Sequence, residues 1–158
     1  MMRMRWLKPF TQDTGENVYE IRDEIENLMW EKAGLVRIGK KLAEAGNRLM
    51  ELLEKVDQAN VADKYLSRYN LEWNNIIDVT NLIAVCRLVV NSACRREESR
   101  GAHYREDFPA TDNENWLKNI YQKKGHGFEL ELTDQPVDLK RFERERIEDR
   151  FFEKVKKP

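Results

Sequence analysis

The chain has 158 residues, 41% apolar and 36% charged, with a formal charge of −1. That length suits one domain, and the near-cancellation of charge removes the broad positive field of a nucleic-acid binder. Arg87 interrupts the longest apolar run, Leu82–Val90, well short of the roughly 20 residues of a membrane span, and the basic start MMRMRWLKPF lacks a signal-peptide core, so a cytoplasmic protein is expected.

Residues 1–16 read as a lead-in segment or linker. Pro9, Asp13, Thr14 and Gly15 oppose a helix, while Trp6 and Phe10 are suited to docking. A first helix is expected from Asn17, whose side chain can cap the free amides of the first turn, with Glu20 placed for a capping box. Ile21, Ile25, Leu28 and Met29 then share one face. Gly34 is a natural stop. Trp30, Ala33, Leu35 and Val36 form either a partner-facing corner or part of the core.

A second helix is expected over about Gly39–Asp57, with Leu42, Ala45, Leu49, Leu52, Leu53 and Val56 as its stripe and charge outside. Glu51 and Lys55 are spaced for an i,i+4 pair. The stripe is too short for an extended coiled coil and suits packing within the chain. Tyr65, Leu66 and Tyr69 are candidate anchors for the polar connection 58–70.

A third helix is expected from Leu71 to about Ser99. Ile76, Ile77, Val79, Leu82, Ile83, Val85, Leu88, Val89 and Val90 cover most of its circumference, the pattern of a buried spine. Arg95, Arg96 and Arg100 then fall in its last turns, where positive charge complements free carbonyls. The two cysteines, Cys86 and Cys94, lie on this helix about 12 Å apart at 1.5 Å rise per residue, too far for a disulfide. With only two histidines, a Glu-x-x-His di-iron bundle is excluded.

Thr111 and Glu114 form a second capping-box pattern ahead of a short turn. Ile120–Lys123 and Phe128–Leu132 flank a glycine-bearing turn and read as a hairpin, with Phe128, Leu130 and Leu132 alternating with Glu129, Glu131 and Thr133. Trp73 and Trp116 are packing anchors. Residues 138–158, charged with a thin stripe of Phe142, Ile147, Phe151 and Val155, read as a tail helix. The fold class is mainly α: an antiparallel three-helix bundle, spectrin-repeat-like, with a small C-terminal β-hairpin and that tail.

The most informative stretch is Cys94–Lys118, CRREESRGAHYREDFPATDNENWLK. Arg100, His103 and Arg105 could hold a carboxylate, or could pair with Glu97, Glu98, Glu106 and Asp107 to fix a loop. Residues 22–37 (RDEIENLMWEKAGLVR), 75–100 and 98–118 together resemble the C-terminal domain of the succinate dehydrogenase and fumarate reductase flavoprotein subunits. L-Aspartate oxidase is the related branch. The continuation past Gly101-Ala102-His103 into Asp112–Lys118 and a hairpin is similar to the former, whereas the charged tail departs from it.

The resemblance implies that residues 17–137 are the flavoprotein's C-terminal helical domain, between the lead-in 1–16 and the tail 138–158. The parent would be an FAD-dependent oxidoreductase interconverting succinate and fumarate in electron transport. Its partners would be the flavin-binding domain of the same chain and an iron–sulfur subunit, which could hold it at the inner face of a membrane. The glycines match no dinucleotide-binding fingerprint, so no catalytic, cofactor-binding or metal residue is assigned here, and the segment alone is expected to be inactive. Arg95, Arg96, Arg100, His103, Arg105 and Asp107 are the candidate domain-interface residues. A free-standing helical interaction module and the C-terminal domain of an L-aspartate oxidase are the alternatives.

Overall fold

The computed structural model describes residues 6–65, 69–125 and 129–138. The expected tail helix therefore lies outside the described residues, apart from Asp138, as do Leu66, His126 and Phe128. The described residues form two compact units that divide after Asp112.

The first unit is the helical bundle: α1 (Val18–Ala33), β1 (Val36–Arg37), α2 (Gly39–Val56), α3 (Leu71–Arg95) and β2 (Tyr104–Arg105). Asn17 caps α1 by accepting from the Tyr19 amide at 3.0 Å. Glu20 completes the cap differently from a standard box, because its carboxylate accepts from the Asn17 side-chain amide. Asn70 caps α3 in the same manner, through the Trp73 amide at 2.8 Å.

Polar contacts between the helices report their directions. Glu24 and Lys32 of α1 meet Arg48 and Glu44 of α2, so later residues of one face earlier residues of the other. Arg22 of α1 meets Asn75 near the start of α3. Hence α1 and α3 run parallel, with α2 antiparallel to both. Glu51 pairs with Arg48 rather than Lys55, which turns instead to Glu24.

The core follows the expected stripes on α1 and α2. Ile21, Ile25 and Leu28 are buried, as are all six of Leu42, Ala45, Leu49, Leu52, Leu53 and Val56. On α3 only one side is enclosed: Ile76, Val79, Ile83, Cys86, Val90 and Ala93 are buried, but Val85, Leu88 and Val89 face outward. The expectation of a spine enclosed all round is corrected, because two neighbouring helices can cover only one side of a third. Tyr65 and Tyr69 are also exposed; Ala59 and Val61 anchor the connection in their place.

The lead-in makes a single 3-10 turn at Lys8–Phe10. It seats on α3: Trp73 Nε1 donates to the Trp6 carbonyl at 2.7 Å, and Phe10 meets the Trp73 ring edge-on at 5.8 Å.

The second unit contains α4 (Asn113–Trp116) and an antiparallel hairpin of β3 (Lys118–Lys124) and β4 (Leu130–Pro136). Ile120 faces Asp134 and Gln122 faces Leu132. The strands run longer than the alternation alone suggested, and Lys118 of β3 forms an ion pair with Asp134 of β4. Lys118 also lies over the Trp116 ring at 4.2 Å.

Candidate functional site

The site is the loop from Arg96 to Asp112, which closes the end of the bundle where α3 stops and α2 starts. Helix α2 opens without a side-chain cap of its own, leaving amide donors free at its positive end. Helix α3 presents free carbonyls at its negative end. Arg105 and Asp107 serve both.

Arg105 is 2% exposed. Its Nη1 donates to the carbonyls of Ala93, Cys94 and Arg96 at 2.9, 3.2 and 3.0 Å. Its Nε and Nη2 bind the two oxygens of Asp107, each at 2.7 Å, in a bidentate fork. Asp107 in turn accepts from the Gly39 amide at 2.9 Å. A Cβ on Gly39 would stand 2.8 Å from Arg105 Nη2 and 3.0 Å from Asp107, so this close approach requires glycine. The Arg105 hydrogen bond and charge, helped by the Gly39 amide, hold the Asp107 carboxyl well below the usual carboxylate range, against a smaller opposing effect of burial.

Here the helix limit is corrected. Helix α3 ends at Arg95 rather than near Ser99, because the Arg105 guanidinium, arriving from further along the chain, occupies its last carbonyls. Arg105 thus takes the capping place expected of Arg95, Arg96 and Arg100.

Glu98 is the second anchor, with 0% exposure. Burial alone would raise its pKa, but Arg100, the Asp112 amide and Arg96 overturn that and hold it below the ordinary value. Arg100 binds both carboxylate oxygens at 2.7 and 2.9 Å, Arg96 binds one, and the Asp112 amide donates at 2.9 Å. Ser99 stitches the loop together: its Oγ accepts from the Arg105 amide and donates to the Phe108 carbonyl. Thr111, expected as a helix cap, donates to the Ser99 carbonyl at 2.7 Å instead.

β2 runs parallel to β1, pairing Tyr104 with Val36 and Arg105 with Arg37. This brings Arg37 Nη1 within 2.9 Å of His103 Nδ1. Arginine only donates, so Nδ1 accepts and the proton of the neutral ring sits on Nε2. Burial first, then the Arg37 charge, lowers the His103 pKa, with the Arg96 carbonyl dipole opposing them. Nε2 is enclosed without a hydrogen-bond partner among the described residues.

Of the six sequence-derived residues, the fold brings Arg96 and Arg100 onto Glu98, and Arg105 onto Asp107. His103 stands apart on Arg37, and Arg95 lies exposed on the last turn of α3. Glu98 takes the central role among the loop's glutamates. Arg37, Ser99 and Gly39 escaped sequence reasoning. An uncapped helix start at Gly39 was the one available signal, since it calls for a carboxylate from elsewhere. The arrangement clamps two helix ends and pairs its two carboxylates, Glu98 and Asp107, with arginines of the same loop.

The sequence profile described as "Fumarate reductase flavoprotein C-term" matches residues 22–150. One subunit of the CoM/CoB fumarate reductase of Methanothermobacter marburgensis is 35% identical over 72% of this chain and 20% of its own length. The succinate dehydrogenase flavoprotein subunit of Bacillus subtilis is 28% identical over 85% of this chain and 23% of its own. A solved quinol-fumarate reductase with menaquinol superimposes with a TM-score of 0.78 at 29% identity, over 86% of this chain and 24% of that one. The chain thus spans about a fifth to a quarter of the length of these relatives. By the profile match and the shared fold, this chain belongs to the family of C-terminal domains of fumarate reductase and succinate dehydrogenase flavoproteins.

Proposed function

We propose that the chain acts by packing: it braces the flavin-binding part of an FAD-dependent succinate dehydrogenase or fumarate reductase and offers surface to an iron–sulfur subunit. Residues 17–137 are that bracing domain. The parent interconverts succinate and fumarate, attached at the inner face of a membrane through partner subunits.

The observation that carries this reading is the internal use of the motif's charge. Buried Arg105 and Glu98 are bound to helix ends, loop amides and each other's neighbours, so these groups hold shape. Tyr104, exposed beside them, is the part of the motif open to a neighbouring domain.

The described residues do not fit the flavin. A dinucleotide needs a strand, a glycine-rich turn and a helix; the described sheets are a two-residue parallel pair and an antiparallel hairpin. A groove of about 520 Å³ between α1 and α2 is walled by Glu24, Glu31, Glu44 and Glu51 against Lys32 and Arg48, a poor setting for a pyrophosphate.

Purified chain incubated with fumarate and reduced viologen is expected to show no turnover and no yellow colour. Flavin-dependent turnover by this chain would overturn the reading. The gene is expected to be preceded, in frame or as a neighbour, by a sequence with a glycine-rich flavin fingerprint. Its absence would favour the free-standing interaction module.

A further inference from the structure

The loop also reaches the end of α1, through Arg37. Its Nε donates to the Ala33 and Gly34 carbonyls at 3.1 and 2.9 Å. The same guanidinium, through Nη1, donates to His103 Nδ1 at 2.9 Å. His103 closes a tight turn with Arg100: the Arg100 amide donates to the His103 carbonyl at 2.8 Å, and the His103 amide to the Arg100 carbonyl at 3.0 Å. Gly101 takes the positive φ, 58°, that this turn requires. The turn lies between two anchored residues, Arg100 on Glu98 and Arg105 on Asp107 and the end of α3.

Between those anchors little holds residues 101–104 to β1. The β1–β2 pair is two residues long, and Val36 and Tyr104 are both exposed. A short two-stranded ladder without apolar cover is marginal in water. The His103 ring supplies the side-chain tie, and only a neutral ring can make it, because a guanidinium donates and never accepts. The charges facing the ring are Arg37 from β1, Arg96 from the stretch after α3 and Arg105 from β2, and each opposes a second positive charge. The loop's buried and half-buried carboxylates are engaged elsewhere, Glu98 with Arg96 and Arg100, Asp107 with Arg105 and the Gly39 amide, while Glu97 and Glu106 are exposed. Nε2 is enclosed without a partner among the described residues, and the Arg96 carbonyl already accepts from Arg105. A proton on Nδ1 would set two donors against each other among three guanidiniums.

We propose that His103 is an acid-released latch: on taking a proton the ring leaves Arg37, and residues 101–104 swing off β1 while the Arg105–Asp107 fork keeps the ends of α2 and α3 closed. The device goes beyond the bracing role and is tested without it. The lowered His103 pKa accords with the latch, since a ring that must break its tie to become charged does so below the ordinary histidine value. Asp107 and Glu98 are held below their ordinary values, so they stay ionised while the latch opens.

The test is amide exchange of the nitrogen-15-labelled full chain, followed by nuclear magnetic resonance at about pH 7.5 and 5.5 and corrected for intrinsic exchange at each pH. Uptake of one proton on opening raises the open population by up to about tenfold per pH unit below the ordinary histidine value of about 6.5. We therefore expect the protection of the His103 amide to fall by roughly tenfold at the lower pH, with the Gly39 amide unchanged. In His103→Gln, whose side-chain carbonyl accepts from Arg37 but does not titrate, the fall should vanish. In Arg37→Gln the ring's own titration, read from its carbon-bound proton, should move up toward the ordinary value. Equal protection at the two pH values, or a fall that persists in His103→Gln, would overturn the latch. So would a ring that titrates while the Tyr104 amide signal stays in place. A fall shared by Gly39 would show the whole loop opening and would equally overturn a release confined to residues 101–104. None of these results bears on the bracing function.

Discussion

Arg105 and Asp107 sit two residues apart, yet they serve the ends of two different helices. The guanidinium meets the negative end of α3 and the carboxylate the positive end of α2, so each charge complements a helix dipole as well as its partner. Replacing Asp107 by Asn leaves the buried Arg105 guanidinium without its counter-charge. We expect a loss of about 3 kcal/mol at neutral pH, the lower end for breaking a buried pair, because the Asp107 side chain is 31% exposed. Gly39→Ala should also lower the melting temperature, since its methyl would press on the same fork.

The pH dependence follows from the same pairs. Asp107 and Glu98 both titrate below their ordinary values, so the unfolded chain binds more protons than the folded one on the acid side. Their contribution is complete above about pH 5 and is lost as pH falls through the depressed folded values. Urea unfolding of Asp107→Asn at several pH values should therefore show a shallower acid decline than the parent. His103 has the same sign: a lowered pKa gives stability that is present above about pH 6.5 and lost below it. Protonation would also remove the acceptor that Arg37 uses. A His103→Gln variant should flatten the stability profile between about pH 7 and 5.

At the scale of elements, the two sides of α3 give opposite expectations. Ile83 is fully enclosed, and Ile83→Ala should cost about 2–5 kcal/mol. Val85→Ala, on the outward side, should change the free chain by less than about 0.5 kcal/mol. Helix α2 carries a glycine in its interior, Gly46, and a Cβ there would stand 3.7 Å from Val90, an ordinary contact. Gly46→Ala should therefore stabilise by about 0.5–1 kcal/mol through helix propensity, read as a raised melting temperature. The stripes of α1 and α2 were legible because both helices bury a single face, so apolar spacing alone identifies it. On α3 the apolar residues run almost all round, and spacing cannot tell a core contact from a contact to something outside the domain.

At the scale of the whole molecule, the bundle places its paired charges at one end and its uncharged surface along one side of α3. Arg100→Ala removes one of two guanidiniums from the enclosed Glu98. It should lower the melting temperature of the chain, or weaken its docking to the flavin-binding part, while far-ultraviolet circular dichroism keeps its helical signal. Unchanged stability and docking would remove the motif from any bracing role.

The amino-acid sequence by itself determined the three helices, the residues that cap α1, the core stripes of α1 and α2, the hairpin alternation and the family. All of these rest on local spacing or on motif order. Only the tertiary structure decided that Arg105 ends α3, that Asp107 caps α2 from 68 residues away, that Arg37 meets His103, and that Val85, Leu88 and Val89 of α3 are exposed. Each depends on which helix ends and faces come together, and a linear pattern of residue types does not encode that juxtaposition.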